Sequence, residues 1–160
     1  MLLRCDTASS REFGEIHEIS CQPFTRTFCL RFFLKPGVLT AFASEFGLDD
    51  EMALMIAAPF GGGMARRGYT CGAVTGGLMV LGLKYGYTTP KGRDTAYVIA
   101  DEFMRRFGER HGHLACRDLI GYDISSAESR RQAQESGVFH NICPKLVGDA
   151  VEIVTQLLNP

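Results

Sequence analysis

The stretch that most limits this chain is Phe60-Gly61-Gly62-Gly63-Met64-Ala65-Arg66-Arg67-Gly68-Tyr69-Thr70-Cys71-Gly72-Ala73-Val74-Thr75-Gly76-Gly77. Three consecutive glycines give up packing and backbone order, so they mark a tight turn or the close approach of backbone to another group. Two arginines follow, and Cys71 then opens a run with no acidic residue as far as Gly86. A cysteine where a helix begins meets free N–H groups and a partial positive charge, which favours its thiolate. The spacing therefore predicts a loop joined to a thiol, with Cys71 at its centre.

From Pro36 onward the pattern is helical. Val38, Leu39, Phe42 and Phe46 repeat at helical spacing and Gly47 ends that turn. Leu48-Asp49-Asp50-Glu51 places acids at the start of a second helix through Ala58, which Pro59 stops. A helix from Cys71 to about Tyr85 carries a small-residue face of Gly72, Ala73, Gly76 and Gly77, against which another helix or a cofactor could come close. After Thr88-Thr89-Pro90, residues from about Lys91 to Gly108 form an amphipathic helix with Tyr97, Ala100, Phe103, Met104 and Phe107 inward. Glu109 to His113 is a polar link. Cys116 to Ile120 is a short helix halted by Gly121, and Ser125-Ser126-Ala127-Glu128 caps another that Gly137 ends. Asn141-Ile142-Cys143-Pro144 opens the terminal helix, with Val147, Val151, Val154 and Leu158 on its apolar face. The expected fold is all-α, one domain of about five to seven helices. It divides into residues 1–37, whose pattern has no sustained period, and the helical residues 38–160. Within the first part, Glu12 to Ile19 could form a short capped helix and Cys29 to Leu34 a strand or a buried helix.

Bulk properties exclude some functions. A length of 160 residues allows a sizeable core, and 46% hydrophobic with 22% charged residues is ordinary globular composition. The net charge of −1 gives no footprint for nucleic acid. No apolar run reaches the roughly 18 residues of a membrane span. Residues Met1 to Ser20 lack a basic start followed by an apolar stretch, so no export signal is expected and the cytoplasm is the default location. No Ser-His-Asp arrangement or paired-carboxylate site emerges.

Six cysteines (5, 21, 29, 71, 116 and 143) are many for a reducing compartment, where they more often mean metal binding or redox catalysis than disulfides. Cys71, Cys116 and Cys143 each fall at or just before a helix start, where the thiol pKa should fall. Thiolates bind soft metals, hold iron–sulfur clusters and attack disulfides. The bland alternative is that some pack as small buried hydrophobes. His17, His111, His113 and His140 could complete a mixed Cys/His zinc site, or be solvated loop residues. Gly61, Gly62 and Gly63 with Arg66, Arg67 and the helix start at Gly72 could hold an anion or small ligand, against the alternative of arginines on a mobile loop. No Gly-Lys-Ser/Thr follows, so this is not a P-loop.

Phe60 to Gly86, Cys116-Arg117-Asp118-Leu119-Ile120-Gly121 and Cys143-Pro144-Lys145-Leu146-Val147 together resemble the redox-active C_GCAxxG_C_C family, from about Val38 to Leu158. The resemblance implies a helical domain, often dimeric, whose cysteines act in thiol redox or hold a metal or iron–sulfur centre. On that expectation Cys71, Cys116 and Cys143 carry the chemistry with an unidentified redox partner. The family pattern has a further cysteine near the position of Leu34, where this sequence has none. Cys29, five residues earlier, either substitutes as a fourth metal ligand or leaves the site one thiol short. The abrupt change before Pro36 also fits a shifted reading frame or a rearranged N-terminus, which the nucleotide sequence would reveal. The competing expectations are a non-enzymatic anion- or ligand-binding module and a structural zinc domain.

Overall fold

Several helices begin or end at a recognisable chemical signal. A computed structural model describes residues 37–159; Cys5, Cys21, Cys29, His17 and the elements expected before residue 37 lie outside the described residues. Helix α1 (Gly37–Phe42) passes into a 3-10 turn (Ser44–Phe46), and Gly47 closes it in the left-handed conformation. Asp49 caps α2 (Asp50–Ala57) by accepting from the amides of Glu51 and Met52. Pro59 does not stop the chain abruptly, but tightens it into a 3-10 turn over Ala58–Phe60.

Helix α3 (Gly72–Tyr85) is the centre of the fold, packed against α1, α4 (Arg93–His111) and the terminal helix α8 (Cys143–Leu158). Its small-residue face is occupied by other helices. A Cβ on Gly76 would lie 3.1 Å from the Cβ of Val38, and one on Gly77 would lie 2.3 Å from the ring of Phe103. Close packing of α1 and α4 therefore accounts for these glycines. Thr75, a buried polar residue, donates to the Gly72 carbonyl at 3.2 Å, which satisfies a group that burial would otherwise penalise. Phe103 and Phe107 are fully buried, and each such side chain stabilises the fold by about 1.5–3 kcal/mol. Val38, Leu39, Val74, Val80, Leu146, Ala150, Ile153 and Val154 complete the same core.

Three expectations need correction. Helix α4 continues through Arg110 and His111 to a left-handed Gly112, so most of the expected polar link is its last turn. Tyr97 is not inward: it is 61% exposed and its hydroxyl meets that of Tyr87. It sits in the second turn, before α4 reaches cover from its neighbours. On α8 the buried line is Leu146, Ala150, Ile153 and Val154, while Val147, Val151 and Leu158 flank it half-buried.

Between α4 and α8 come α5 (Cys116–Ile120), α6 (Ala127–Glu135) and the single turn α7 (Val138–Asn141). Gly121 and Gly137 adopt the expected left-handed conformation, and Ser126 caps α6 through the amide of Ser129. These segments build a second, smaller cluster from Cys116, Ile120, Ile124, Ala133 and Val138. Five helices of eight residues or more and three shorter ones make an all-α single domain, and no strand occurs among the described residues. No described helix is long and apolar enough to cross a membrane.

Candidate functional site

The glycine loop folds into a left-handed turn. Gly62, Gly63, Met64, Ala65 and Arg66 have φ of 64°, 66°, 61°, 51° and 65°, and Gly68 has 70°. L residues pay about 1–2 kcal/mol apiece for this hand, because Cβ crowds the following carbonyl. Met64, Ala65 and Arg66 carry that cost. The segment is held by its own backbone: the amides of Met64, Ala65, Arg66, Arg67, Gly68 and Tyr69 donate to the carbonyls of Phe60, Pro59, Gly61, Met64, Gly62 and Gly63.

These hydrogen bonds leave fewer donors for the anion expected at Gly61, Gly62, Gly63, Arg66, Arg67 and Gly72. Every amide from Met64 to Tyr69 donates to a carbonyl, so none of these six N–H groups is free for an anion. A Cβ on Gly72 would meet the Phe60 carbonyl oxygen at 3.4 Å. Arg66 and Arg67 are exposed.

What the glycines approach is Cys116. A Cβ on Gly63 would stand 2.6 Å from the Cβ of Cys116 and 2.6 Å from the Tyr69 carbonyl oxygen. Only a residue without a side chain fits, and the left-handed φ gives a second reason for glycine.

The turn leads into a short antiparallel bridge that joins two thiol-bearing segments. Thr70 pairs with Ala115, the Cys71 amide donates to Leu114 O at 2.9 Å, and the Cys116 amide donates to Tyr69 O at 2.6 Å. Side chains alternate along extended backbone, so Thr70 and Ala115 share one face while Cys71 and Cys116 share the other. Cys71 and Cys116 are diagonal neighbours on that face, a relation with about 7–8 Å between Cα atoms. They also belong to different apolar clusters, Cys71 to the main core and Cys116 to the smaller one. Cys143 packs half-buried against the smaller cluster, and Ile142 touches both. The three thiols therefore line the seam between the two clusters.

Burial reverses the expected effect of the helix starts. Cys71 and Cys116 are only 8% and 7% exposed. Burial raises the Cys71 pKa above the ordinary 9.0, and the amides of Ala73 and Val74 pull it partly back, though neither forms a full hydrogen bond to the sulfur. Cys116 is pushed up to about 12 by burial, then by negative charge on Cys71 and on Cys143. Cys143 is pushed up to about 11 by burial and by charge on Cys71. Desolvation outweighs the helix dipole, which falls off within one turn. Cys116 opens a helix of five residues, while Cys143 follows α7 through a helical Ile142 and precedes a proline without an N–H. Cys71 alone has donors that favour its charged form. Burial remains the larger influence on all three thiols.

Soft thiolates suit a metal or cluster chemically. Among the described residues, however, no three of His, Cys, Asp and Glu are grouped to hold a metal ion. The arrangement does not fit a resident metal or iron–sulfur centre built from Cys71, Cys116 and Cys143 of one chain, and Cys29 lies outside the described residues. Of the histidines, His113 is exposed, and His111 turns away from metal chemistry toward α8. Its Nε2 lies 3.1 Å from Asp149 Oδ2, close but not aligned for a hydrogen bond, with its side chain 9% exposed.

Sequence reasoning missed Arg117. Its guanidinium donates from Nε to Gly68 O at 3.2 Å and from an Nη to Arg67 O at 3.1 Å, and its charge lies 5.6 Å from the Tyr69 ring centroid. The available signal was its place beside Cys116; its partners, far back in the chain, gave none.

The fold and the seam define a helical domain with three thiols at the border of its two apolar clusters. The comparison with protein families is specific: residues 36–157 match the family described as "Putative redox-active protein (C_GCAxxG_C_C)". The chain belongs to that C_GCAxxG_C_C family. No curated protein and no solved structure matches it significantly.

Proposed function

We propose that Cys71 and Cys116 form a thiol–disulfide redox pair, with Cys143 as a third thiol on the same seam. The observation that carries this reading is the Thr70–Ala115 bridge, which holds Cys71 and Cys116 on one face of adjoining segments. Cys71 is the attacking thiol, because the amides of Ala73 and Val74 favour its thiolate. The thiolate attacks a disulfide RS–SR′; the S–S bond breaks, and R′S⁻ leaves with the electron pair and takes up the proton lost by Cys71. Cys116 then gives up its proton and attacks the Cys71 sulfur, expelling RS⁻, which is protonated in turn. The substrate disulfide gains two electrons, the dithiol loses two, and an internal disulfide remains. The reverse sequence oxidises a partner dithiol.

This version is preferred to a metal or iron–sulfur centre because the described residues offer no grouped set of ligands. A reducing cytoplasmic setting, an unidentified redox partner and a homodimer belong to the same proposal. The competing reading, a non-enzymatic module whose cysteines merely pack, draws on the burial of Cys71 and Cys116. Oxidised glutathione separates the two. Cys116→Ser should accumulate a mixed disulfide on Cys71, while Cys71→Ser should accumulate none and lose exchange. Equal, negligible reaction of wild type and both variants would leave only the packing role.

A further inference from the structure

We propose that the left-handed turn over Cys116 is a lid, and that Arg117 is its latch. The lid has functional meaning only on the dithiol reading above, but its test uses no redox chemistry. Cys116 is 7% exposed, so any chemistry at its sulfur needs a part that moves. On one side the thiol is walled by Ile120, Ile124 and Val138, side chains anchored in the smaller cluster. The glycine turn is a second wall, since a Cβ on Gly63 would stand 2.6 Å from that of Cys116 and one on Gly62 would stand 3.1 Å from Ile124 Cδ1.

The second wall is the movable one. Its backbone holds Met64, Ala65 and Arg66 in the disfavoured hand, so the closed form is penalised against any open form that relaxes them. Closure is fastened from outside, where the exposed Arg117 clasps the carbonyls of Arg67 and Gly68 and lies over Tyr69. A Cβ on Gly68 would come within 3.1 Å of the Arg117 Cβ, so glycine there lets the clasp seat. The strap is also tied by its own backbone bonds and by the Cys116 and Arg117 amides on Tyr69 O and Gly68 O, and the exposed Arg117 side chain adds the fastening most open to solvent. The same movement serves the redox pair. A diagonal Cα separation of about 7–8 Å exceeds the 4.4–6.8 Å usual for a disulfide, so joining Cys71 to Cys116 requires the clamped Cys116 segment to shift.

The experiment is time-resolved labelling of the reduced, full-length protein with iodoacetamide, read for each cysteine by peptide mass spectrometry. In Arg117→Ala, Cys116 should be labelled about tenfold faster, the loss expected for two modest hydrogen bonds. In Ala65→Asn it should be labelled about two- to threefold more slowly, since asparagine tolerates the left-handed region better than alanine. Cys143 should keep its rate in both. An unchanged Cys116 rate in Arg117→Ala, or an equal acceleration of Cys143, would overturn the lid. Should Arg117→Ala fail to fold, Ala65→Asn decides alone: slower labelling supports the lid and an unchanged rate removes it. A lid that opens over thiols inert to disulfides would cost the proposed function alone; thiols that exchange at a rate indifferent to Arg117 would cost the lid alone.

Discussion

The main bundle and the thiol seam solve opposite problems with the same backbone. In the bundle, α3 is surrounded by α1, α4 and α8, glycines accept neighbouring helices, and Phe103 and Phe107 fill the interior. Every device there lowers the free energy of one rigid arrangement. At the seam the chain uses a left-handed turn, a single antiparallel bridge and a helix of five residues, and three non-glycine residues sit in a disfavoured conformation. Strain of this kind persists only where surrounding contacts enforce it. The bundle supplies the stability with which the seam holds buried thiols in an awkward place.

That contrast can be broken at graded depths. Phe103→Ala should cost about 3–5 kcal/mol in urea unfolding, the largest effect, because it empties the centre of the bundle. Gly63→Ala should cost less, about 2–4 kcal/mol from the wrong hand and the clash with Cys116. It should disturb Cys116 labelling far more than Phe103→Ala does at matched stability. A larger loss from Gly63→Ala than from Phe103→Ala would invert the comparison.

The thiols sharpen it through pH. Cys116 and Cys143 have folded pKa values of about 12 and about 11, above the ordinary 9.0. Below pH 9 both are protonated whether folded or unfolded, and their burial costs nothing extra. As pH rises past 9 the unfolded chain releases these protons and the folded one does not, so stability should fall by up to about 1.4 kcal/mol per pH unit per thiol. Urea midpoints between pH 8 and pH 10.5 check this, and Cys116→Ser should flatten the curve. A smaller effect of opposite sign belongs to the bundle. Burial lowers the His111 pKa below 6.5 despite Asp149, with Lys145 and Arg110 pushing the same way as burial. The unfolded chain therefore takes up a proton first as pH falls through 6.5, and the midpoint should decline there in wild type but not in His111→Gln. At the bottom of the scale, Arg131→Ala removes only exposed pairs with Glu128 and Glu135 and should leave the midpoint unmoved.

Much of the fold was legible because helix punctuation is local. Asp49, Ser126, Gly47, Gly121 and Gly137 each act on backbone within a few residues of themselves, and each sits where the chain predicted. The errors arose where tertiary packing decides. Tyr97 has the right spacing for burial but no neighbour above it, and Arg110–His111 stay helical with Arg110 paired to Asp149 and Glu152 on α8. At the seam, the triple glycine announced a close approach without naming Cys116. The Thr70–Ala115 bridge and the reach of Arg117 join distant parts of the chain, which no local pattern encodes. Thiol acidity failed for a related reason: position at a helix start is visible in sequence, but desolvation is a property of the folded interior.

The central claim, that Cys71 and Cys116 are a working pair, is tested most directly by equilibrating the protein across glutathione redox buffers and mapping the disulfides by peptide mass spectrometry. The account predicts a single two-electron transition that joins Cys71 to Cys116. Both cysteines remaining thiols in buffers that fully oxidise ordinary protein dithiols would contradict it.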